Sequence, residues 1–230
     1  MEQSDSMRER EDFLAFINHR LRNLLLANER IVKLLVGGDF GEMSQQQQKV
    51  LSHVVENSKE VDRLIRTVVD IYEYRNQSKL LDFAACEVTE IIAQIFEEDR
   101  PLAEAKNVSL TNLVGHNCLA RCDQAAIKDL FAHLIENGIK HARSSVTVSA
   151  GTDNSAVCVA VTDDGLGIPE SDLLSLFDRF FVQSGDGKYA PVTGVGLCLC
   201  AQIAKAHGGR LTCDSQPGIG TIFSLWLPKA

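Results

Sequence analysis

The stretch VTDDGLGIP, at residues 161–169, joins a strand to a glycine-rich turn and indicates the fold most strongly. A Val-rich run ends at Asp163, and Gly165 and Gly167 then alternate before an Ile-Pro pair. Glycine permits positive φ and lets the backbone approach a ligand closely. A carboxylate at a strand end can accept a hydrogen bond from an exocyclic amine such as that of adenine. These three residues are therefore candidate nucleotide-binding residues, and a simple glycine-rich turn is the alternative for this motif alone.

A second motif, HLIENGIKHA at residues 133–142, places polar side chains in line with an apolar helical stripe. Asn137 continues the spacing of that stripe, and a core-facing amide destabilises the fold unless its hydrogen bonds are satisfied. Lys140 and His141 follow three and four residues later and share its face. An amide, an ammonium and an imidazole on one ridge suit a Mg²⁺-phosphate site, because Mg²⁺ prefers oxygen ligands and retained waters. An ordinary helix edge is the alternative.

A third motif, TGVGLCLC at residues 193–200, opens a helix after the polar segment 183–192. Gly194 and Gly196 would expose backbone N–H groups at the positive end of the helix dipole, which favours anions. The preceding segment, which contains two glycines and a proline, is typical of a lid that orders over a nucleotide. A fourth motif, GIGT at residues 218–221, enters the last strand, and by itself it indicates only a hairpin turn.

Beyond residue 77, short β-branched or alternating runs are interleaved with amphipathic helical stretches. Strands are predicted at 79–83, 108–113, 146–150, 157–162, 210–214 and 221–227, and helices at 89–105, 124–142 and 196–207. Short turns join several strands, which favours a mixed sheet with helices on one face. This pattern predicts a two-layer α/β sandwich.

Residues 12 to about 74 contain no proline and predict a helical hairpin around a glycine-containing stretch at 37–41. Apolar residues and one Asn per helix follow a 3–4 spacing: Leu14, Ile17, Leu21, Leu24, Asn28, Ile31 and Leu35, then Val50, Val54, Asn57, Val61, Leu64, Val68 and Ile71. Flanking apolar residues widen both stripes: Leu25, Val32, Leu51, Val55, Ile65 and Val69. Since a lone hairpin would leave apolar surface exposed, we expect homodimerisation into a four-helix bundle. Gly37 and Gly38 can end the first helix, and Ser44 with Gln47 predicts a capping box for the second.

The composition is ordinary for a globular protein, with 45% hydrophobic and 23% charged residues. A net charge of −8 and the lack of a Lys/Arg-dense stretch argue against nucleic acid as a partner. No apolar run approaches the ~18–20 residues of a membrane span, so we expect no membrane insertion of this chain. The seven cysteines include no CxxC pair, which favours reduced thiols in a cytoplasmic protein.

Taken in order, these motifs resemble the N, G1, F and G2 boxes of the histidine kinase ATP-binding domain, in the family shared with gyrase, Hsp90 and MutL ATPases. LFDRFF at residues 176–181 resembles the F box, and the resemblance covers about residues 79 to 230. It implies ATP and Mg²⁺ as cofactors and an α+β fold. The implied ATP-binding residues are Asn137 (also the Mg²⁺ ligand), Lys140 (phosphate), His141, Asp163 (adenine), Gly165, Gly167, Arg179, Gly194, Gly196 and Thr221 (beside Asp163).

Three positions depart from the family pattern. His133 stands where many kinases have a first Asn, and Cys198 replaces the third glycine of the G2 box. Val182 stands where many members carry a basic residue, so Arg179 or Lys188 would have to supply a lid cation.

The segment FINHRLRNLL, at residues 16–25, resembles the phosphoacceptor H box and singles out His19. In the heptad pattern His19 points away from the apolar seam, and neutral imidazole is a competent nucleophile near pH 7. Arg20 replaces the acid that typically follows the histidine. Asn23, one turn on, matches the position that family members use to orient water for response-regulator dephosphorylation.

The sequence therefore predicts a sensor histidine kinase of a two-component system, with a hairpin for dimerisation and phosphotransfer at 1–77 and a catalytic ATP-binding domain at 78–230. It would autophosphorylate His19, transfer the phosphoryl group to the receiver domain of a response regulator, and also act as a phosphatase of that regulator. The alternative is a dimeric ATP-binding scaffold that has lost autophosphorylation. An ATP hydrolase is less favoured, because His133 occupies the position of the water-activating Glu in related hydrolases.

Overall fold

A computed structural model describes residues 21, 23–28, 30–37, 41, 43–116, 118–152, 155–178 and 195–230. The chain divides into two compact units between Tyr72 and Glu73. The sequence placed its functional boundary slightly later, after residue 77, in the turn that follows the second helix. Within the described ranges, no helix combines the length and the apolar character needed to cross a membrane.

The N-terminal unit contains helix α1, at residues 21, 23–28 and 30–36, and most of helix α2, Gln45–Arg75. The amide of Gly37 donates to the Lys33 carbonyl at 2.8 Å, and the helical residues of α1 end just before it. At the start of α2, the Ser44 amide donates to Gln47 Oε1 at 2.9 Å, and the Gln47 amide donates to Ser44 Oγ at 3.3 Å. These reciprocal bonds confirm the predicted capping box.

The apolar residues of the hairpin separate into an exposed stripe and a sheltered set. The exposed stripe comprises Leu21, Leu24, Ile31, Val50, Val54, Val61 and Val68. The flanking residues are sheltered: Val32 is buried, and Leu25, Leu51, Val55, Ile65 and Val69 are half-buried. A single hairpin therefore covers the flanking residues and leaves most of the described residues with seam spacing facing solvent. Leu35 and Leu64 are half-buried and Ile71 is buried, although they share that spacing.

The C-terminal unit contains two sheets. Its strands are β1 Ala84–Glu87, β2 Ser109–Leu113, β3 Leu119–Cys122, β4 Ser145–Thr152, β5 Ala156–Asp163, β6 Arg210–Gln216 and β7 Gly220–Pro228. The main sheet has the order β2-β4-β5-β7-β6, with β2 parallel to β4 and every other pair antiparallel. Strands β1 and β3 form a separate antiparallel pair. Strands β5 and β7 are neighbours inside this sheet, and they bring side by side two segments that are far apart in the sequence.

The helices of this unit are α3 Val88–Lys106, α4 Gln124–His141, the short α5 Glu170–Leu173, and α6 Gly196–Ala206. Strand β5 alternates buried valines (Val157, Val159, Val161) with half-buried small residues, so one face of the sheet meets the helical layer. Helix α4 is buried along Ile127, Leu130, Leu134 and neighbouring residues. A helical hairpin together with a two-layer sandwich confirms the predicted α+β fold class.

Two details of the strand prediction are wrong. Residues 79–83 do not form a strand, since β1 begins only at Ala84, and β3 was not predicted. Both β1 and β3 are four residues long. Such short segments give too few alternations to be recognised from periodicity.

Candidate nucleotide site

Asp163 ends strand β5 and is paired in register with Thr221 of β7. Asp163 is 7% exposed and Thr221 is 5% exposed, so two polar side chains lie buried at the same edge of the sheet. Asp163 Oδ1 accepts a hydrogen bond from the Gly165 amide at 2.9 Å. Buried polar groups require partners, and the Gly165 amide is one partner of this carboxylate.

The electrostatic surroundings of Asp163 disfavour its charge. Burial raises the pKa of Asp163, and the charge of Asp164 adds to that effect. Hydrogen bonds from the Gly165 and Thr221 amides, together with His141, act in the opposite direction. A donor such as an exocyclic amine would stabilise the carboxylate in the same way as these amides do.

The two glycines that follow Asp163 are required by close backbone approaches. A Cβ on Gly165 would lie 2.5 Å from the carbonyl oxygen of His141, at the end of α4. Gly167 has φ +72°, and a Cβ there would lie 2.2 Å from the carbonyl oxygen of Gln216. The loop therefore fits between the end of helix α4 and the β6–β7 turn, and no larger residue fits either position without a backbone shift.

Ser215 connects this loop to Thr221, a role that the sequence did not indicate. Its hydroxyl donates to the Gly220 carbonyl at 2.9 Å and accepts from the Ile168 amide at 2.8 Å. Since that single proton is used, the Thr221 hydroxyl, 3.0 Å away, is the donor in their contact. The bond pattern holds the glycine loop against the last strand. An isolated Ser within strand β6 offers no sequence signal for such a role.

Helix α4 carries the other predicted residues of the site. Asn137 is half-buried, and its side chain makes no hydrogen bond to any residue that the structure describes. Lys140 Nζ lies 2.9 Å from Glu136 Oε1, and its carbonyl accepts from Lys106 Nζ at 2.8 Å. His141 is exposed, yet protein atoms around its ring lower its pKa; Lys106 and Lys140 act in the same direction, and Asp163 opposes them.

His133 packs against the first residue of helix α6. Its Nδ1 lies 2.9 Å from the Asp129 carbonyl oxygen, and because a carbonyl only accepts, Nδ1 carries the proton. A Cβ on Gly196 would lie 3.0 Å from His133 Cδ2, so glycine permits the close approach of α4 and α6. The start of α6 thus lies next to α4 at His133, four residues before Asn137. A helix N-terminus favours anions.

Four predicted site residues lie outside the described part of the C-terminal unit. His19, Arg179 and Gly194 lie outside the described residues. Asn23 lies exposed on α1, in the N-terminal unit. Among the residues that the structure describes, no three His, Cys, Asp or Glu side chains form a metal cluster. A Mg²⁺ ion held by the Asn137 oxygen, phosphate oxygens and waters needs no such cluster.

Comparison with known proteins identifies the family of this fold and site. Residues 122–230 match the family model of histidine kinase-, DNA gyrase B-, and HSP90-like ATPases. Every residue of the C-terminal site described above from Asn137 to Thr221 falls within that match. The chain carries a sensor histidine kinase catalytic core. The match confirms the resemblance seen in the sequence.

The core is also similar to whole-length relatives. It is 30% identical to the alginate biosynthesis sensor protein KinB of Pseudomonas aeruginosa over 99% of this chain and 38% of that protein. It is 26% identical to the sensor histidine kinase WalK of Bacillus subtilis over 99% of this chain and 38% of that protein. The chain thus spans about two fifths of the length of these curated relatives.

A solved structure supports the fold of this kinase core. Full-length ShkA in complex with AMPPNP superposes with a TM-score of 0.80, at 19% identity, over 95% of this chain and 46% of that chain. At this identity the likeness concerns the fold alone.

Proposed function

We propose that this histidine kinase core binds Mg-ATP in its C-terminal unit and autophosphorylates His19 in its N-terminal unit. The observation that carries the proposal is the buried Asp163 carboxylate at the end of β5, with Thr221 beside it. A carboxylate in a dry recess selects a hydrogen-bond donor and is otherwise destabilising. Adenine presents such a donor, its exocyclic amine.

The residues present fit ATP and Mg²⁺. Glycines 165 and 167 leave room for the backbone only, and Asn137 offers an amide oxygen with no partner among the described residues. Gly196 begins a helix, and the amides of the first turn of a helix favour phosphate. Bound Mg²⁺ would neutralise negative charge on the phosphates. Lys140 would contact phosphate after leaving Glu136, and Arg179 and Gly194 complete the proposed set.

The transfer itself would rest on His19. One imidazole nitrogen attacks the γ-phosphorus, the bond to the ADP oxygen breaks, and the imidazole proton leaves to solvent. The phosphoryl group would then pass to an aspartate of a response regulator receiver domain. Asn23, exposed on α1, would orient water for dephosphorylation of that regulator.

We also propose that the chain forms a homodimer and acts in the cytoplasm. The exposed stripe of the hairpin supports the dimer, because its leucines, isoleucine and valines repeat at the spacing of a helical seam. A second hairpin would cover this stripe and complete a four-helix bundle. The sheltered flanking residues are already covered within a single hairpin, so they need no contact with the second hairpin.

A phosphorylation assay tests the proposal. The full chain is incubated with γ-labelled ATP and Mg²⁺, and protein phosphate is tested for lability in acid and stability in base, which are the properties of phosphohistidine. We expect label in the wild type and none in His19→Gln. Nucleotide binding without label would favour the scaffold instead, since Arg20 and His133 depart from the family pattern. Phosphate release that ignores His19 would favour a hydrolase.

A further inference from the structure

Asp164, which follows the carboxylate proposed to recognise adenine, makes side-chain hydrogen bonds to the loop that follows helix α4. Its Oδ1 accepts hydrogen bonds from the amides of Arg143 at 2.9 Å, Ser144 at 3.0 Å and Ser145 at 3.1 Å. Its Oδ2 accepts from the Ser144 hydroxyl at 2.5 Å. Three donors thus share Oδ1 and a fourth binds Oδ2, so the loop holds both oxygens of the carboxylate. Asp164 therefore serves as an acceptor for the loop.

These bonds join the elements that carry the two ends of the site. The loop 143–145 begins just after His141 and leads directly into β4, and its Ser144 carbonyl also accepts from the Ser109 amide of β2 at 2.8 Å. The Asp164 amide returns a weaker bond to the Ser145 carbonyl at 3.4 Å. One side chain thus fixes the end of α4 and the start of two strands to the end of β5.

The tolerance at this junction is small. A Cβ on Gly165 would lie only 2.5 Å from the His141 carbonyl oxygen, so the glycine loop and the end of α4 are in direct contact. A shift of α4 along its axis would change the separation between Asp163 and the ridge of Asn137 and Lys140. Those residues serve opposite ends of the proposed nucleotide.

The two adjacent acids also differ in electrostatic character. Although partial burial acts to raise it, the pKa of Asp164 is held well below its usual range by the Ser144 hydroxyl and the three amides. Asp163, by contrast, has its pKa raised by burial. The Asp164 carboxylate thus stays ionised and accepts hydrogen bonds from the loop. The Asp163 carboxylate, by contrast, would be stabilised by a further hydrogen-bond donor.

We propose that Asp164 is a positioning residue that sets the span between the base-binding end and the phosphate-binding end of the site. This inference rests on the proposed ATP binding. It assigns Asp164 no contact with the nucleotide, and its effect is exerted through Asp163 on one side and α4 on the other. The distance between the two ends of the site affects the affinity only of a ligand that binds both ends at the same time.

Fragment binding tests the span directly. Adenosine, pyrophosphate and ADP, each with Mg²⁺, are titrated into the full-length chain and followed by NMR, for the wild type, Asp164→Ala and Ser144→Ala. We expect Asp164→Ala to weaken ADP binding about 10- to 100-fold. Adenosine and pyrophosphate, which each occupy one end, should change less than about twofold. Ser144→Ala, which removes one of the four donors, should show a smaller loss for ADP alone.

Controls keep the outcome interpretable. Asp214→Ala removes an exposed acid of β6 outside the site and should leave all three ligands unaffected. Asp164→Asn retains one oxygen for the three amides and should recover most of the ADP affinity, which also covers the case in which Asp164→Ala does not fold. Equal losses for adenosine and ADP, or no loss for ADP, would overturn the inference. A wild type that binds neither adenosine nor ADP would instead overturn the proposed function.

Discussion

Lys140 Nζ lies 2.9 Å from Glu136 Oε1, so the ammonium proposed to contact phosphate is paired within its own helix. The surroundings are acidic: burial raises the pKa of Asp99 on α3, and Glu136 and Glu98 raise it further, while Lys140 opposes them. Lys140 must leave this acidic environment before it can contact a phosphate. The pair therefore competes with nucleotide binding.

Replacing Glu136 should strengthen nucleotide binding. Glu136→Gln removes the competing charge, and partly exposed pairs of this kind contribute little, so we expect Mg-ATP to bind about two- to fivefold more tightly. Isothermal titration calorimetry measures this, with Glu98→Gln as the matched control, since it breaks the Lys128–Glu98 pair of 2.6 Å between α3 and α4. A gain in affinity cannot result from damage to the fold. Unchanged or weaker binding by Glu136→Gln would refute the competition.

Replacing Asp163 should abolish most of the affinity for adenine nucleotides. Asp163→Asn keeps the shape and the acceptor for the Gly165 amide, but it loses a charged acceptor, and we expect about 10- to 100-fold weaker ATP binding. The thermal midpoint should not fall, because the buried charge is itself destabilising. Calorimetry and thermal melts on the same samples separate the two effects. Retained ATP affinity in this variant would place adenine recognition elsewhere.

Two glycines with similar backbone conformations should respond differently to alanine. Gly167 has φ +72° and Gly218 has φ +82°, so alanine costs about 1 kcal/mol at either from the backbone alone. A Cβ on Gly167 would also meet the Gln216 carbonyl oxygen at 2.2 Å, whereas a Cβ on Gly218 would have no described atom within 4 Å. Gly167→Ala should therefore lose about 1–3 kcal/mol more of the free energy of unfolding in urea titrations. Equal losses would show that the loop shifts freely.

The contribution of Asp164 should depend on pH. Its folded-state pKa lies below the unfolded value of about 3.9, so its stabilisation is complete well above pH 4 and declines as the pH falls toward the folded-state pKa. The difference in free energy of unfolding between wild type and Asp164→Asn should thus shrink from pH 6 to pH 3. Urea unfolding at several pH values measures it. A difference that is constant with pH would mean that the ionised form of Asp164 contributes nothing.

The exposed stripe of the hairpin predicts dimer-breaking substitutions. Val61→Asp places a charge on a stripe residue that is 43% exposed in the single chain, and we expect monomers in analytical ultracentrifugation. Leu80→Asp changes a residue that is 95% exposed outside the helices, and it should leave the dimer intact. A monomeric wild type, or a Val61→Asp variant that remains dimeric, would contradict the seam.

Features encoded by local spacing could be predicted from the sequence. Ser44 and Gln47 are three residues apart, and their side chains satisfy each other's amides as the capping pattern requires. The Val-rich run before Asp163 gave β5 nearly to its ends, because a half-buried strand alternates along its length. Asp163 and Thr221 were paired only through the resemblance, since no short-range pattern shows which strands are neighbours.

Features that depend on tertiary contact could not be predicted. Asp164 is the second acid in a turn. It accepts several hydrogen bonds only because the 143–145 loop packs against it. Ser215 gains its role from Ile168 and Thr221, which are brought to it by the glycine loop and by strand β7. Which apolar residues a single hairpin covers depends on tertiary contact in the same way, so it could not be predicted.

The strand order β5-β7-β6 has a consequence for how the protein is made. Strand β7 leaves the ribosome after both of its neighbours, yet it lies between them, and Thr221 within it completes the recess around Asp163. A nascent chain that has already exposed β5 and the glycine loop therefore holds an unfinished recess with an open strand edge. Nucleotide can therefore assist folding only at the final step, by binding after β7 has inserted between β5 and β6.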